Sequence, residues 1–170
     1  EGLKKQYEEL TQAGRFIESL EIIEKAVDAL SRNRENPEEL EECINKLAQT
    51  LNASAMIYLE ATDYDSCYKL LKRAEGLQVR SSRIRSTTLN NLGCYYRKTN
   101  KLTTALMYLQ KSLEMETRAK TSKNLSDTYI NICAVLSSLS MHNDALHSAM
   151  MSVIVGQHEL ITQLADKLKD

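Results

Sequence analysis

The stretch LNNLGCYYRKTNKLTTALMYLQKSL, residues 89–113, predicts two α-helices joined by a short turn. Its first half reads L-x-x-L-G-x-x-Y, a spacing that places large apolar residues and one glycine along one side of a helix. Polar residues interrupt this pattern near position 100. The second half then places Ala105, Leu109 and Ser112 on a common helical face, so that small and bulky residues alternate where two helices would meet.

The same pattern recurs in three other parts of the chain. Residues 51–74 and 129–152 carry both halves, and residues 14–27 carry the second half. The small residue that opens each second half lies 48, 38 and 40 positions after its predecessor, at Ser19, Cys67, Ala105 and Ala145. One helix pair is too small to bury its own apolar face, so we expect successive pairs to stack on each other.

Composition supports a chain made of helices alone. The 170 residues include one proline and five glycines, which is poor material for the turns of a β protein. Leucine, alanine, glutamate and lysine are abundant, as in helical proteins. We therefore predict an all-α fold.

This repeat resembles the tetratricopeptide repeat, a helix–turn–helix unit of about 34 residues. The resemblance covers roughly residues 1–155. The phrase TTLNNLGCYYRKTNKLTTAL, residues 87–106, is most similar to the long-repeat branch that includes kinesin light chain and the spindle-orientation adaptors. The chain departs from the usual unit in three ways. Leucine or tyrosine replaces the tryptophan, no proline follows the second helix, and spacings near 40 predict longer helices.

The resemblance implies a right-handed α-solenoid of about four stacked antiparallel helix pairs, closed by a C-terminal capping helix. We predict one domain over residues 1–170, with pairs at about 1–33, 36–77, 80–119 and 122–156 and the capping helix at 158–169. The predicted helices are 2–13, 15–32, 37–61, 64–76, 80–98, 101–119, 123–139, 142–156 and 158–169. The apolar segment ALHSAMMSVIV, residues 145–155, should be covered by the capping helix.

One helix start is signalled by several residues together. Asn36 suits the N-cap, Pro37 suits the first helical position, and Glu38 and Glu39 complement the positive end of the helix dipole. The long helix that begins here accounts for the 48-residue spacing.

Charge is unevenly distributed along the chain, although the net charge is −1. Residues 1–65 carry 15 acidic and 7 basic side chains, residues 66–123 carry 3 and 13, and residues 124–170 carry 5 and 2. A basic middle segment favours an acidic partner. The alternative is that these side chains are solvated helix faces with no partner.

The sequence contains no recognisable catalytic or metal site. His142, His147 and His158 are its only histidines. His142 and His147, five residues apart, do not share a helical face, and the HEL sequence at His158 lacks the second histidine of a zinc-protease helix. No phosphate-binding loop or nucleophile elbow occurs. We therefore predict that the chain is not an enzyme and has no metal and no cofactor.

Nucleic acid and membrane are not the predicted partners. The basic segment KRAEGLQVRSSRIR, residues 72–85, contains no aromatic residue on which bases could stack. No run of 18 apolar residues occurs, so we predict no membrane span.

The four cysteines are far apart and lie in helical patterns, which predicts free, reduced, buried thiols and a cytoplasmic location, with association to the cytoskeleton left open.

The first helix of each pair should line the concave groove of such an array. We expect the following side chains to point into it: Asn52, Met56, Leu59, Asn90, Asn91, Cys94, Arg97, Lys98, Asp127 and Asn131. Asn91 and Asn131 occupy matching sites, two residues before Gly93 and Cys133. The resemblance implies that such asparagines hold the backbone of a bound peptide, because a carboxamide both donates and accepts hydrogen bonds. Alternatively, they are polar residues on a wet helix face.

The predicted function is a non-catalytic protein–protein interaction adaptor or scaffold that binds a peptide segment, with Arg97 and Lys98 favouring an acidic one. The carboxylate clamp of the co-chaperone branch is disfavoured because Met56, Cys94 and Ala134 stand where its asparagines would be needed. One alternative is a structural assembly or oligomerisation unit that uses its convex face or its ends, so self-association stays open. Another is a regulatory domain of a longer enzyme.

Overall fold

The computed structural model describes residues 2–33, 36–119 and 124–167. Within these ranges the chain forms eight α-helices and no β-strand. The helices are α1 (Gly2–Gln12), α2 (Phe16–Asn33), α3 (Pro37–Glu60), α4 (Tyr64–Gly76), α5 (Ser82–Lys98), α6 (Leu102–Ala119), α7 (Leu125–Ser138) and α8 (His142–Lys167). The first seven match the predicted helices to within two residues at each end, and the all-α fold class is confirmed.

The helices form two compact units, Glu1–Ile84 and Arg85–Asp170. In the first unit, helices α1 to α4 enclose a core of Tyr7, Ile22, Ile23, Leu47, Leu51 and Ala74. In the second unit, α6, α7 and α8 supply the buried core side chains Ala105, Leu109, Ile132, Val135, Leu136 and Ala145, and Tyr96 of α5 packs against them. Each unit therefore has an apolar core of its own.

One turn geometry recurs at all four hairpins. A residue in the left-handed conformation ends the first helix of each pair, with φ between 59° and 72°. The N–H of the next residue donates to a carbonyl five positions back at 2.8–2.9 Å, which is the Schellman arrangement. The four left-handed residues are Gly14, Thr62, Asn100 and Ser140.

The small residue of each repeat lies five positions after the left-handed residue. These four side chains, Ser19, Cys67, Ala105 and Ala145, are between 0% and 4% exposed. The turns are separated by the same 48, 38 and 40 positions as the small residues. The turn therefore fixes which residue of the second helix faces its partner, and the predicted repeat register is confirmed.

The predicted start of α3 is also confirmed. The Asn36 side chain accepts a hydrogen bond from the backbone N–H of Glu39 at 3.2 Å, and Asn36 Nδ2 donates to the Glu39 carboxylate at 3.2 Å. Pro37 is at the first helical position. α3 has 24 residues and α2 has 18, whereas α5 has 17 and α4 has 13. These two longer helices account for the wider spacing of the first two repeats.

The prediction of a separate C-terminal capping helix is wrong. α8 continues without a break from His142 to Lys167, and residues 168 and 169 lie outside the described residues. Gly156 lies within the helix and in close contact with α7: a Cβ at this position would lie 3.2 Å from Ser126 Oγ. Since the helix does not turn back, it does not cover the apolar segment at 145–155, and Leu146, Met150 and Val153 remain 57–62% exposed.

The turn at Thr62 generates a stability prediction. A β-branched residue is poorly suited to the left-handed conformation, which costs a residue with a Cβ about 1–2 kcal/mol. Thr62→Gly should raise the free energy of unfolding by about 0.5–1 kcal/mol. The gain is smaller than the relieved strain because glycine also increases the conformational entropy of the unfolded chain. Urea unfolding followed by circular dichroism measures the change.

Gly14→Ala is the matched control for that substitution. A Cβ at Gly14 would meet no atom within 4 Å, so its effect isolates the backbone conformation at φ 72°. It should lower the stability by about 1 kcal/mol. If neither substitution moves the unfolding midpoint, the left-handed turns are not strained in this protein.

Gly93→Ala should lower the free energy of unfolding by about 1–2 kcal/mol through overpacking, despite the higher helix propensity of alanine. Its methyl group would lie 2.5 Å from Cγ and 2.7 Å from Cδ2 of Leu109, which is 1% exposed. Gly76→Ala is the control, because a Cβ there meets nothing within 4 Å and should leave the melting temperature unchanged or raise it. Equal effects of the two substitutions would contradict the close packing of α5 on α6.

Candidate protein-interaction face

Helices α5 and α7 of the second unit lie side by side and are joined by two side-chain hydrogen bonds. Asn124 Nδ2 donates to Thr87 Oγ1 at 3.2 Å, and Asn131 Nδ2 donates to Asn90 Oδ1 at 3.1 Å. Both bonds advance in the same chain direction, so the two helices run parallel. We call the surface that they share the α5–α7 face, and at helical spacing it comprises Thr87, Asn90, Cys94 and Arg97 with Asp127, Asn131, Ala134 and Ser138.

The asparagine pair at the centre of this face is half-buried. The bond between Asn131 and Asn90 uses one donor and one acceptor. Within the described residues, no further protein partner engages Asn90 Nδ2 or Asn131 Oδ1. Because a carboxamide offers two N–H donors and an oxygen acceptor, the pair presents one donor and one acceptor next to each other.

Two basic residues stand at the C-terminal end of α5. Arg97 lies two helical turns beyond Asn90, a distance of about 10 Å along the axis. Its Nε atom is buried and has no hydrogen-bond partner among the described residues. Lys98 is exposed, and neither residue forms an ion pair within the described part of the chain. A buried guanidinium N–H without a partner is costly.

Cys94 lies on the face between Asn90 and Arg97. Burial raises the pKa of its thiol, and the nearby charges of Arg97 and Lys98 oppose that shift only in part. The thiol is therefore protonated at neutral pH and is a weak nucleophile. Cys94 serves as a small, half-buried surface element of the face.

A buried carboxylate lies beneath these helices. Glu116 of α6 is 1% exposed and accepts hydrogen bonds from Ser112 Oγ at 3.3 Å and from Thr128 Oγ1 at 3.2 Å. Ser86 of α5 adds a third hydroxyl, and Ser112 Oγ also contacts the Ser86 carbonyl at 2.9 Å. The group therefore ties α5, α6 and α7 together. Burial raises its pKa, the hydroxyls oppose that shift, and the charge of Asp127 adds to it.

Two residues predicted to line a groove do not present their side chains to solvent. Asn52, in the first unit, is 4% exposed, and its Nδ2 donates to the Ala48 carbonyl of its own helix at 2.9 Å. Leu59 is also 4% exposed, so it faces the interior. Met56, on the same helix, is half-buried and keeps part of its surface accessible.

The remaining predicted residues lie in the second unit. Asp127 and Lys98 are exposed, at opposite ends of the face. Asn91 is 9% exposed and already engaged, so Asn131 meets Asn90 rather than its matching residue Asn91. Sequence spacing identified Asn90 as a face residue but could not show which of two adjacent asparagines would reach across to α7.

Sequence reasoning missed the Glu116 group. Glu114 and Glu116 are two residues apart on one helix, and only the packing of α7 distinguishes the buried carboxylate from the exposed one. The position of Glu116 four residues after the small Ser112 was the available signal, since that spacing places both on the inner face of α6.

Part of the basic charge predicted to attract a partner is paired within the first unit. Arg73 contacts Glu24 at 2.7 Å and Arg80 contacts Glu41 at 3.0 Å. These exposed pairs contribute little to stability but reduce the local positive charge. Arg97 and Lys98 form no such ion pair within the described residues.

The cysteines are free, as predicted, but only Cys67 is fully buried. Cys43, Cys94 and Cys133 are half-buried, because they lie at the edges of the helix contacts.

Within the described ranges, no three side chains of the His, Cys, Asp and Glu types gather closely enough to hold a metal ion. In the same ranges, no helix combines the length and the apolar character that crossing a membrane requires.

Comparison with known families identifies the repeat. Residues 46–118 match the family model described as Tetratricopeptide repeat. This segment of the chain is therefore similar to tetratricopeptide repeats. Repeats of this family generally mediate protein–protein interaction and are typically non-catalytic scaffolds. The matched segment includes most of α3 and nearly all of α6, so it contains the whole turn between α5 and α6.

A solved structure supports the same fold. The chain is similar to BtubC (BKLC) from P. vanneervenii, with a TM-score of 0.64 and 11% sequence identity. The match covers 93% of this chain and 58% of that one, so the chain spans less than two thirds of the length of that protein. A comparison with curated proteins finds no match.

The carboxylate of Glu116 generates a prediction about pH. Because its pKa in the folded protein is raised above the ordinary value of about 4.5, the folded state holds the proton more tightly than the unfolded state does. The stabilising effect of the protonated form is fully present below the ordinary pKa and is lost as pH rises through the raised pKa. The stability of the Glu116→Gln chain relative to that of the natural chain should therefore be higher at pH 8 than at pH 4.

Urea unfolding midpoints between pH 4 and pH 8 measure this effect. Glu114→Gln, on the exposed side of the same helix, is the control and should show no comparable trend. A Glu116→Gln chain that loses the same stability at both ends of the pH range would show that the buried charge is not penalised.

Proposed function

We propose that this chain is a non-catalytic adaptor or scaffold that binds an extended peptide segment of a partner protein on the α5–α7 face. The observation that carries this proposal is the Asn90–Asn131 pair, which leaves a side-chain donor and acceptor side by side on a half-buried surface. An extended peptide presents N–H and C=O groups in that way, so the pair can hold backbone without reading side chains. The resemblance to the branch that includes kinesin light chain supports the same role for Asn131.

Arg97 and Lys98 give the proposed partner its chemistry. Arg97 is half-buried and forms no ion pair within the described residues, so an aspartate or glutamate carboxylate of the ligand can pair with its guanidinium through a charge-assisted hydrogen bond. An extended chain advances about 3.3 Å per residue, so the 10 Å between the asparagine pair and Arg97 corresponds to about three residues. The proposed ligand therefore carries an acidic residue about three positions from the backbone held by the asparagines.

Further surface elements are compatible with such a ligand. Cys94 and Ala134 are small and half-buried, which leaves room for a backbone to lie close to the helices. Ile130 is 53% exposed at the edge of the face and offers an apolar contact for a ligand side chain. In the first unit, Met56 stays a candidate for an additional apolar contact. The proposed location is the cytoplasm, because unpaired thiols are typical of a reducing compartment.

A panel of arrayed 12-residue peptides tests the proposal, each with one acidic residue or with glutamine in its place. The best-binding acidic peptide is then titrated by fluorescence anisotropy against the full chain and its variants. We expect the double variant Asn90→Ala/Asn131→Ala to bind at least tenfold more weakly, because the backbone loses both of its partners. Arg97→Ala should bind the acidic peptide and its glutamine version with equal affinity.

Asn143→Ala is the matched control, since Asn143 is an exposed asparagine on α8 away from the face. It should bind like the natural chain. Unchanged affinity of the Asn90→Ala/Asn131→Ala chain, with folding verified by circular dichroism, would refute the assignment of this face.

A further inference from the structure

Helix α8 exposes a continuous apolar stripe to solvent. Six side chains along it are between 56% and 66% exposed: Leu146, Met150, Val153, Ile154, Leu160 and Ile161. They occupy about 120° of the helix surface, while Ala145, Ser148 and Ser152 on the other side are buried. Large contiguous apolar patches are uncommon on monomers and mark interaction sites.

The spacing along this stripe is that of a helix–helix seam. Leu146, Met150, Val153, Gln157 and Leu160 follow each other at intervals of four, three, four and three residues. This alternation is the a/d repeat of a coiled coil, in which each apolar side chain packs between side chains of a facing helix. Gln157 is a polar residue within the seam, and a single polar residue at such a position selects the register and number of helices.

We propose that this stripe packs against the same stripe of a second copy of the chain, forming a two-fold symmetric dimer with antiparallel α8 helices. An antiparallel seam sets each a position beside a d position. With the two-fold axis near residue 155, Met150 then lies beside Leu160 of the second copy and Val153 lies beside Gln157 of the second copy. The two Gln157 side chains flank the axis, where their amides can bond to each other.

The charge of the segment favours a second copy over other occupants. Between residues 145 and 161, the sequence contains one charged residue, Glu159. Two copies therefore approach without like-charge repulsion. A helix that lies in a membrane surface carries lysine and arginine on its polar side, which this segment lacks. A charged peptide partner would find no complementary charge here.

The length of the stripe sets the expected strength. From Leu146 to Ile161 the stripe is about 22 Å long. A seam one helix wide and of this length buries less than the roughly 800 Å² per partner that is usual for stable complexes. The dimer should therefore be reversible, with a dissociation constant in the micromolar range.

Sedimentation velocity of the full chain, from about 1 to about 200 μM, tests this range of affinity. The natural chain should shift from monomer to dimer. Met150→Glu and Leu160→Lys should each weaken the dimer at least tenfold. The double variant Met150→Glu/Leu160→Lys should regain dimerisation, because the antiparallel register places each new glutamate beside a new lysine of the other copy.

Met107→Glu is the matched control, because Met107 is 43% exposed on α6, outside the stripe. It should dimerise like the natural chain. A natural chain that remains monomeric at 200 μM, or a dimer unaffected by Met150→Glu, would overturn the proposal. If the double variant does not regain dimerisation, the antiparallel register is wrong. All three altered positions are exposed, so circular dichroism should show unchanged folding.

Discussion

The close approach of antiparallel helices is the constraint on which the rest of this structure depends. Each hairpin turns through one left-handed residue, and the side chain five positions later must be small, because it is buried against the first helix. At Gly93 the approach leaves no room even for a methyl group beside Leu109. Tight hairpins of this kind bring the first helices of successive pairs within side-chain reach, as the bonds between α5 and α7 show.

Polar groups, as well as apolar ones, hold α5, α6 and α7 in place. Glu116 is surrounded by hydroxyls from all three helices, so a shift of any one helix would leave a buried carboxylate unsatisfied. Above this group, Asn131 meets Asn90 at the surface. The buried network thus fixes the spacing of the two helices, and the spacing decides which amide groups remain available at the α5–α7 face.

The second unit presents two surfaces of opposite character. The α5–α7 face combines carboxamides with cations, which suits a polar backbone and an acidic side chain. The stripe on α8 is apolar and almost uncharged, which suits burial against another apolar helix. Because these surfaces lie on different helices, the proposed peptide binding and the proposed self-association would not compete for the same side chains.

The first seven helices, their pairing into hairpins and the repeat register can be read from the sequence alone. The small residues Ser19, Cys67, Ala105 and Ala145 recur once in each repeat, within segments of helical periodicity. This pattern is local to each hairpin and does not depend on how the pairs pack on each other. Only the tertiary structure decided that Asn90 rather than Asn91 meets Asn131, that Asn52 turns back to its own helix, and that Glu116 is buried. It also decided that α8 runs straight past Gly156. Such outcomes depend on which neighbouring helix approaches each side chain and how closely. The spacing of residues along one helix does not specify these contacts between helices.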